Sequence, residues 1–224
     1  MRLKAGIIGS SGGSALAAAQ LCIQAAGHSL ELIVLSDRPC GLLNWARRLG
    51  HETLQINFVD RDSFSARALE YFSSHECEQV LLFYTRIVAA PLIDHLRVWN
   101  IHPALLPAFR GLNGVQEAYA AKVPILGCTL HTVDAGIDTG PIFSQVACPV
   151  DRTQTIRDWM RVSFVQKVAL TLIWYEYLAS GKVSDGCALT LKVGPMISSH
   201  QISNGPLRLA YEKWESDLEL QPSC

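Results

Sequence analysis

The residues best equipped for chemistry lie between Trp99 and Val150. Asn100 and His102 stand two apart in Trp-Asn-Ile-His, and Pro103 follows. Side chains two apart on a strand leave the same face, so a carboxamide and an imidazole are presented together. Further on, the loop Asp134–Gly140 (DAGIDTG) carries two carboxylates. Either Asp134 or Asp138 could return to His102, orient the ring and favour its charged form. An amide donor, an imidazole and a carboxylate are the groups that acyl transfer needs, to hold a developing oxyanion and to move a proton. The bland alternative is a core Asn and His satisfied by hydrogen bonds, beside an ordinary Asp-Gly turn. The pair's position at the carboxyl end of an apolar strand favours a site.

These residues need elements to position them. Ala5–Gly9, Leu30–Leu35, Glu52–Ile56, Gln79–Tyr84 and Val98–Ile101 read as short apolar strands. Between them, Ala15–Ala26 (closed by Gly27), Leu42–Leu49 (closed by Gly50) and Ser63–Ser73 read as helices. Such alternation predicts an α/β fold: a mostly parallel, Rossmann-like sheet with helices on both faces. Ligands of such sheets lie beyond the carboxyl ends of the strands. Further on, Val115–Ala121 reads as helix and Gly127–Val133 as strand. Thr155–Ala179 is a long helix with an apolar face containing Trp159, Phe164 and Trp174, which predicts core. Gly181–Lys192 reads as a hairpin or edge strand, and Leu207–Leu218 as an amphipathic helix. The domain division expected is 1–197, with 198–224 as an extension that packs on the domain or on a second copy in a homodimer.

Composition narrows the function. The chain has 224 residues, 49% hydrophobic and 17% charged, with net charge −1. That is globular and gives no electrostatic case for nucleic acid or an anionic membrane. No apolar run reaches membrane-spanning length. The seven cysteines are odd in number and never in CxxC spacing. They predict reduced thiols in a cytoplasmic protein and no zinc site.

Three further features carry two readings each. Gly9–Ser14 opens a helix, so its backbone N–H groups and the dipole suit a phosphate, or it is a tight turn with no ligand. Asp37 stands where a ribose-binding acid would, but the spacing is not GxGxxG and no P-loop Lys follows, which disfavours a dinucleotide. Arg61 and Arg86 each suit an anionic ligand, or a solvated charge and a structural ion pair.

At this point several motifs align. Asn100-Ile101-His102-Pro103-Ala104-Leu105-Leu106-Pro107, then Gly111-Leu112, then Gly127-Cys128-Thr129-Leu130-His131, then Asp134 through Asp138-Thr139-Gly140-Pro141, together resemble the signature of the folate-dependent formyltransferases. The resemblance spans residues 3–185 and is nearest the branch that formylates glycinamide ribonucleotide in purine biosynthesis. It implies a transferase of one-carbon metabolism that moves a formyl group from 10-formyltetrahydrofolate, a co-substrate, to a primary amine. The acceptor would be glycinamide ribonucleotide or a related small phosphorylated or sugar amine, and no metal would be needed. Asn100, His102 and Asp138 match the family's catalytic Asn, His and Asp. Asn100 and a protonated His102 would donate to the oxyanion while Asp138 holds the ring. Arg86, Ile87 and Val88 match the loop that holds the pterin, and Val133, Asp134, Ala135, Gly136 and Ile137 match the second pterin-binding loop. Arg61 matches an acceptor-side arginine. Ser11, Gly12, Gly13 and Ser14 match the loop that takes a nucleotide phosphate.

The sequence departs from the family at Ala15, where an Asn is usual, at Asn113, where a His is usual, and at Gln166, which stands where an acceptor-binding Glu is expected. All three departures fall on the acceptor side and imply either a changed acceptor or a drifted but working transformylase, since Arg61 and most of the Gly/Ser loop persist. Two other readings compete. A non-catalytic folate- or nucleotide-binding homologue has no use for all three catalytic residues. A formyltetrahydrofolate hydrolase carries an extra N-terminal domain, for which Met1–Lys4 leaves no room. The tail is likewise short for the C-terminal domains of the tRNA and sugar formyltransferases.

Overall fold

A computed structural model describes residues 3–185, 188–191 and 194–218. Its first half alternates β1 (Lys4–Gly9), α1 (Ser14–Ala25), β2 (Glu31–Ser36), α2 (Gly41–Arg48), β3 (Glu52–Gln55), α3 (Arg61–Ser74), β4 (Gln79–Phe83), α4 (Leu92–His95) and β5 (Arg97–His102). The strands β3-β2-β1-β4-β5 lie side by side and parallel. Their apolar runs are buried because helices cover both faces. After β3 the chain crosses back past β1 to β4, so the strand order reverses between β1 and β4. A crevice opens there, beyond Gly9 and Phe83.

The second half extends this sheet with antiparallel strands. After α5 (Gly114–Ala120) come β6 (Ile125–Thr132) and β7 (Ile142–Pro149). The long helix α6 (Ile156–Ser180) precedes β8 (Ser184–Asp185), β9 (Ala188–Leu191), β10 (Gly194–Ser198), β11 (His200–Gln201) and α7 (Gly205–Asp217). The sheet continues β5-β6-β7-β10-β9, each pair antiparallel, while β8 and β11 pair separately. Of the hairpin or edge strand expected over 181–192, Ser184–Asp185 is β8 and Ala188–Leu191 is the edge strand β9, and the rest lies partly outside the described residues.

Helix α6 starts in a full capping box, Thr155 with Asp158, and stops at Gly181, whose φ of 68° suits a residue without Cβ. It covers β6 and β7 and meets α1. Trp159, Trp174 and, from α7, Leu207 and Tyr211 join α1 in one continuous core, and the Tyr211 hydroxyl donates to the Val165 carbonyl at 3.1 Å. The C-terminal helix therefore packs on its own sheet-and-helix body. A second core, from Phe64, Ala68 and Phe72 of α3, covers the other face. The five described cysteines are free thiols.

Candidate active site

The crevice is a cavity of about 720 Å³, within the range of small-molecule sites. β1, β4 and β5 bring their carboxyl ends to it, carrying Ser11, Leu82 through Val88, and Asn100 through Pro103. The loop after β6 closes the far side with Val133, Asp134, Gly136, Ile137 and Asp138.

The register of β5 on β6 sets the chemistry. Asn100 lies opposite His131, and His102 opposite Thr129. Thr129, fully buried, donates to the Ala104 carbonyl at 2.7 Å and accepts the Leu106 N–H at 3.0 Å. It thereby pins the Pro-bounded turn that ends β5. Of the two loop carboxylates, Asp138 is the one that returns. Its Oδ2 is 3.3 Å from His102 Nδ1 and accepts the Gly111 N–H at 2.8 Å, while its Oδ1 accepts from Asn100 Nδ2 at 3.2 Å. Asp134 instead shapes the loop, accepting from the Gly136 N–H and the Thr139 hydroxyl.

Both nitrogens of His102 face acceptors. Nε2 donates to the Phe109 carbonyl at 2.6 Å, and Nδ1 faces Asp138. The backbone strains to arrange this: Phe109 at φ 53° and Asp138 at φ 50° are both left-handed, an uncommon conformation for residues other than glycine. Burial nevertheless holds His102 below the ordinary histidine range, outweighing Asp138 and the Phe109 carbonyl, which raise it. Burial thus disfavours the charged ring that its two acceptor partners favour. Burial also works to raise Asp138, but neighbouring His131, the Gly111 N–H and His102 outweigh it and keep the carboxyl below its usual range.

His131 had no role in the sequence reading beyond its motif. Its Nδ1 donates to the Thr132 carbonyl at 2.9 Å, and its Nε2 lies 3.2 Å from Asn100 Nδ2 and 3.6 Å from Asp138 Oδ1. Asn100 is therefore held on two sides, by His131 and by Asp138.

On the expected pterin side, Arg86, Ile87, Val88, Val133, Asp134, Gly136 and Ile137 line the cavity, and Ala135 does not. Arg86 is rigidly held: Nε donates to Asp37 Oδ2 at 2.8 Å, and the guanidinium lies 4.1 Å over the Phe58 ring. Asp37 is buried and also takes two bonds from Arg38, so it is the clamp of Arg86 and is not free for a ribose. Burial would raise its pKa, but the two arginines keep it below the usual carboxylate range.

On the expected acceptor side, Ser11 and Arg61 line the cavity, while Gly12, Gly13 and Ser14 do not. Gly13 caps α1 at φ 67° with no side-chain bond to the helix N–H groups. Gln166 is not a cavity residue. It is fully buried and donates to the Leu126 carbonyl at 3.0 Å and to Cys148 Sγ at 3.4 Å. Its neighbour Lys167 lines the cavity instead. Successive helical residues diverge by about 100°, so a shift of one residue exchanges core for cavity. Ala15 is a buried residue of α1 and Asn113 is exposed just before α5, and neither lines the cavity. The three sequence departures therefore do not touch the space where an acceptor would lie.

A cavity at the reversal of a parallel sheet, with a carboxamide, an imidazole and a carboxylate tied together at its floor, defines a class of α/β proteins equipped for acyl transfer. Within that class the chain belongs to the formyl transferase family, which it matches over residues 10–171. It is 37% identical to the phosphoribosylglycinamide formyltransferase of Bacillus subtilis over 103 residues, 45% of this chain and 53% of that protein. It is 30% identical to the trifunctional purine biosynthetic protein adenosine-3 of Drosophila melanogaster over 179 residues, 77% of this chain and 13% of that protein. The crystal structure of glycinamide ribonucleotide transformylase 1 from Symbiobacterium toebii superposes with a TM-score of 0.72 at 32% identity, covering 81% of this chain and 90% of that one. The sequence matches span 53% and 63% of the length of the first curated relatives. Among the described residues, no helix is long and apolar enough to cross a membrane.

Proposed function

We propose that this chain moves the formyl group of 10-formyltetrahydrofolate to the primary amine of a small acceptor, glycinamide ribonucleotide or a related compound. The observation that carries this reading is the tie between His102, Asp138 and Asn100 in a cavity with both apolar and cationic lining. The lining includes apolar Leu82, Val88 and Val133, with Ile87, Leu112 and Ile137 largely exposed. Large apolar side chains left exposed around one opening suit a flat heterocycle. It also includes Ser11, Arg61 and Lys167, which suit a polar, anionic acceptor.

The folate supplies a formyl carbon attached to a nitrogen that can leave as an amine. The protein's residues then divide the work. As the acceptor nitrogen bonds to that carbon, negative charge grows on the formyl oxygen. Asn100 can turn one N–H onto it, giving up its contact with His131 and keeping the charge-assisted bond to Asp138. Neutral His102 takes the proton released by the acceptor amine at Nδ1, where Asp138 stabilises the resulting charge. It then returns the proton to the folate nitrogen as the old C–N bond breaks.

Because His102 works from its neutral form and is held below 6.5, kcat/KM should hold as pH falls through the ordinary histidine range and drop only beneath it. A decline that begins above 6.5 in a pH–rate profile would remove His102 as the proton acceptor. The Arg86 clamp gives a separate check. Asp37→Asn should raise KM for 10-formyltetrahydrofolate about 5–10-fold with little change in kcat, the size of one lost charged hydrogen bond. An unchanged KM would mean that Arg86 does not contact the folate.

The decisive test is formyl transfer from 10-formyltetrahydrofolate with a panel of amines, glycinamide ribonucleotide first. Formylated amine and tetrahydrofolate should form together. Formate release without any amine would identify a hydrolase, and tight folate binding without turnover a binding protein.

A further inference from the structure

We propose that Gln145 is a positioning residue for the reaction, acting through the turn that ends β5 to fix which nitrogen of His102 carries a proton. The inference rests on the formyl-transfer reading and adds to it a residue outside the cavity, on β7.

The strand register lays out the connection. His102 of β5 lies opposite Thr129 of β6, and Thr129 lies opposite Gln145 of β7. On the far side, Ile197 and Ser198 of β10 face Ala147 and Val146, so Ser199 comes beside Gln145. Residues directly opposite one another share a face of the sheet. One row therefore runs from the imidazole across the antiparallel strands to Ser199.

Each member of the row beyond His102 is tied to the next. The Gln145 N–H donates to Ser199 Oγ at 2.8 Å, and the Ser199 N–H donates to the Gln145 carbonyl at 2.9 Å. Gln145 Nε2 donates to the Thr129 hydroxyl and to the Leu106 carbonyl, both at 3.0 Å. The side-chain amide has no alternative orientation, because its oxygen could not face the Leu106 carbonyl. Thr129 in turn accepts the Leu106 N–H and donates to the Ala104 carbonyl. Both backbone groups of buried Leu106 are thus held from this row, the N–H by Thr129 and the carbonyl by Gln145.

Further along the same turn, the Phe109 carbonyl lies 2.6 Å from His102 Nε2. A nitrogen lone pair cannot face a carbonyl oxygen that closely, so Nε2 carries a proton. Nδ1, which faces Asp138, is then the nitrogen left to exchange one. Loss of the Gln145 amide takes a partner from the Leu106 carbonyl and loosens the turn that delivers the Phe109 oxygen. Gln145 is not a cavity residue, so its loss should misplace the ring and spare substrate binding.

The test uses three variants of the full-length protein. Gln145→Met keeps the size and loses the donors, and it should lower kcat about 10–100-fold with KM for both substrates within about twofold. Gln145→Glu keeps the shape, but at neutral pH its oxygens cannot donate to a carbonyl, so it should fare no better. Ser199→Ala loosens the far end of the row and should lower kcat about 2–5-fold. The ring is read directly by ¹⁵N NMR of His102: Nε2 should be protonated in the wild type, and the Nε2 and Nδ1 signals should change in Gln145→Met. Wild-type kcat in Gln145→Glu, a loss that falls on KM, or unchanged ring signals in Gln145→Met would overturn the proposal. Where Gln145→Met fails to fold, an unchanged kcat in Ser199→Ala would overturn it. Absence of formyl transfer in the wild type would defeat the transferase reading, and the ring signals would still decide whether Gln145 sets the protonated nitrogen.

Discussion

Asp138→Asn is expected to lower formyl turnover by about 10³-fold while the protein stays folded. The size follows from how many groups one carboxylate holds. It faces His102 Nδ1, accepts the Gly111 N–H and accepts from Asn100. The substitution removes the charge that would stabilise a protonated His102, and it puts an amide N–H where at least one donor now points. The backbone should tolerate it. Position 138 has φ 50°, and asparagine enters the left-handed region more readily than most residues. The loss should therefore fall on kcat, with the circular dichroism spectrum unchanged and little change in KM for either substrate. Asp138 acts through its neighbours, so the pH profile should move as well. Without the carboxylate, His102 protonates even less readily, and the acidic limb of the profile should shift further down. Turnover within severalfold of the wild type would take Asp138 out of the mechanism.

Why Asp138 and not Asp134 could not be read from the chain alone. Both lie in one Gly-containing loop after a strand, and either could reach a histidine on the neighbouring strand. The choice depends on backbone conformation: left-handed φ at 138 turns its carboxylate inward, and the bonds from Gly136 and Thr139 hold Asp134 in the loop. The Asn100–His102 pair was legible because alternation on a strand is a two-residue rule, and β5 obeys it. The parallel strands were legible as apolar runs between helix signals. The antiparallel half was less so. Ile142–Pro149 carries Ser144 and Gln145 in mid-strand, and its burial alternates only once β6 and β10 flank it. Gln166 shows a different limit. Helix α6 is buried around much of its circumference, from Trp159 through Trp174. Its amphipathic pattern is therefore too weak to fix which of two adjacent residues faces a cavity. Asp37 was placed correctly at a strand end, but its partner Arg86 comes from the end of a different strand. Only the packing of β1 between β2 and β4 brings the two together. The opposing pulls on His102 were not legible either: the ring's partners favour the cation, and burial, which only the packing sets, works against it.

Gly140→Ala should reproduce much of the Asp138 defect without touching a functional side chain. A Cβ at 140 would fall far inside contact distance of the Thr132 carbonyl oxygen. That oxygen is backbone at the end of β6, and the Thr132 N–H already bonds the Pro141 carbonyl at 3.1 Å. Neither side can rotate away, so the neck of the 133–140 loop must open by about 1 Å or more to reach ordinary contact. Asp138 lies two residues before that neck. Its 2.8 Å bond to Gly111 and its 3.3 Å approach to His102 cannot both survive such a shift. A displacement of this size at a positioned group costs about 10²-fold in rate. Gly136 offers a contrast, since a Cβ there meets the Thr139 hydroxyl, the movable end of a side chain. Gly136→Ala should therefore cost less than Gly140→Ala. The double variant Gly140→Ala with Asp138→Asn decides the mechanism of the effect. If the glycine matters because it places this carboxylate, the second substitution should remove little more activity than Asp138→Asn alone. Losses that multiply in full would mean that Gly140 acts on some other part of the site.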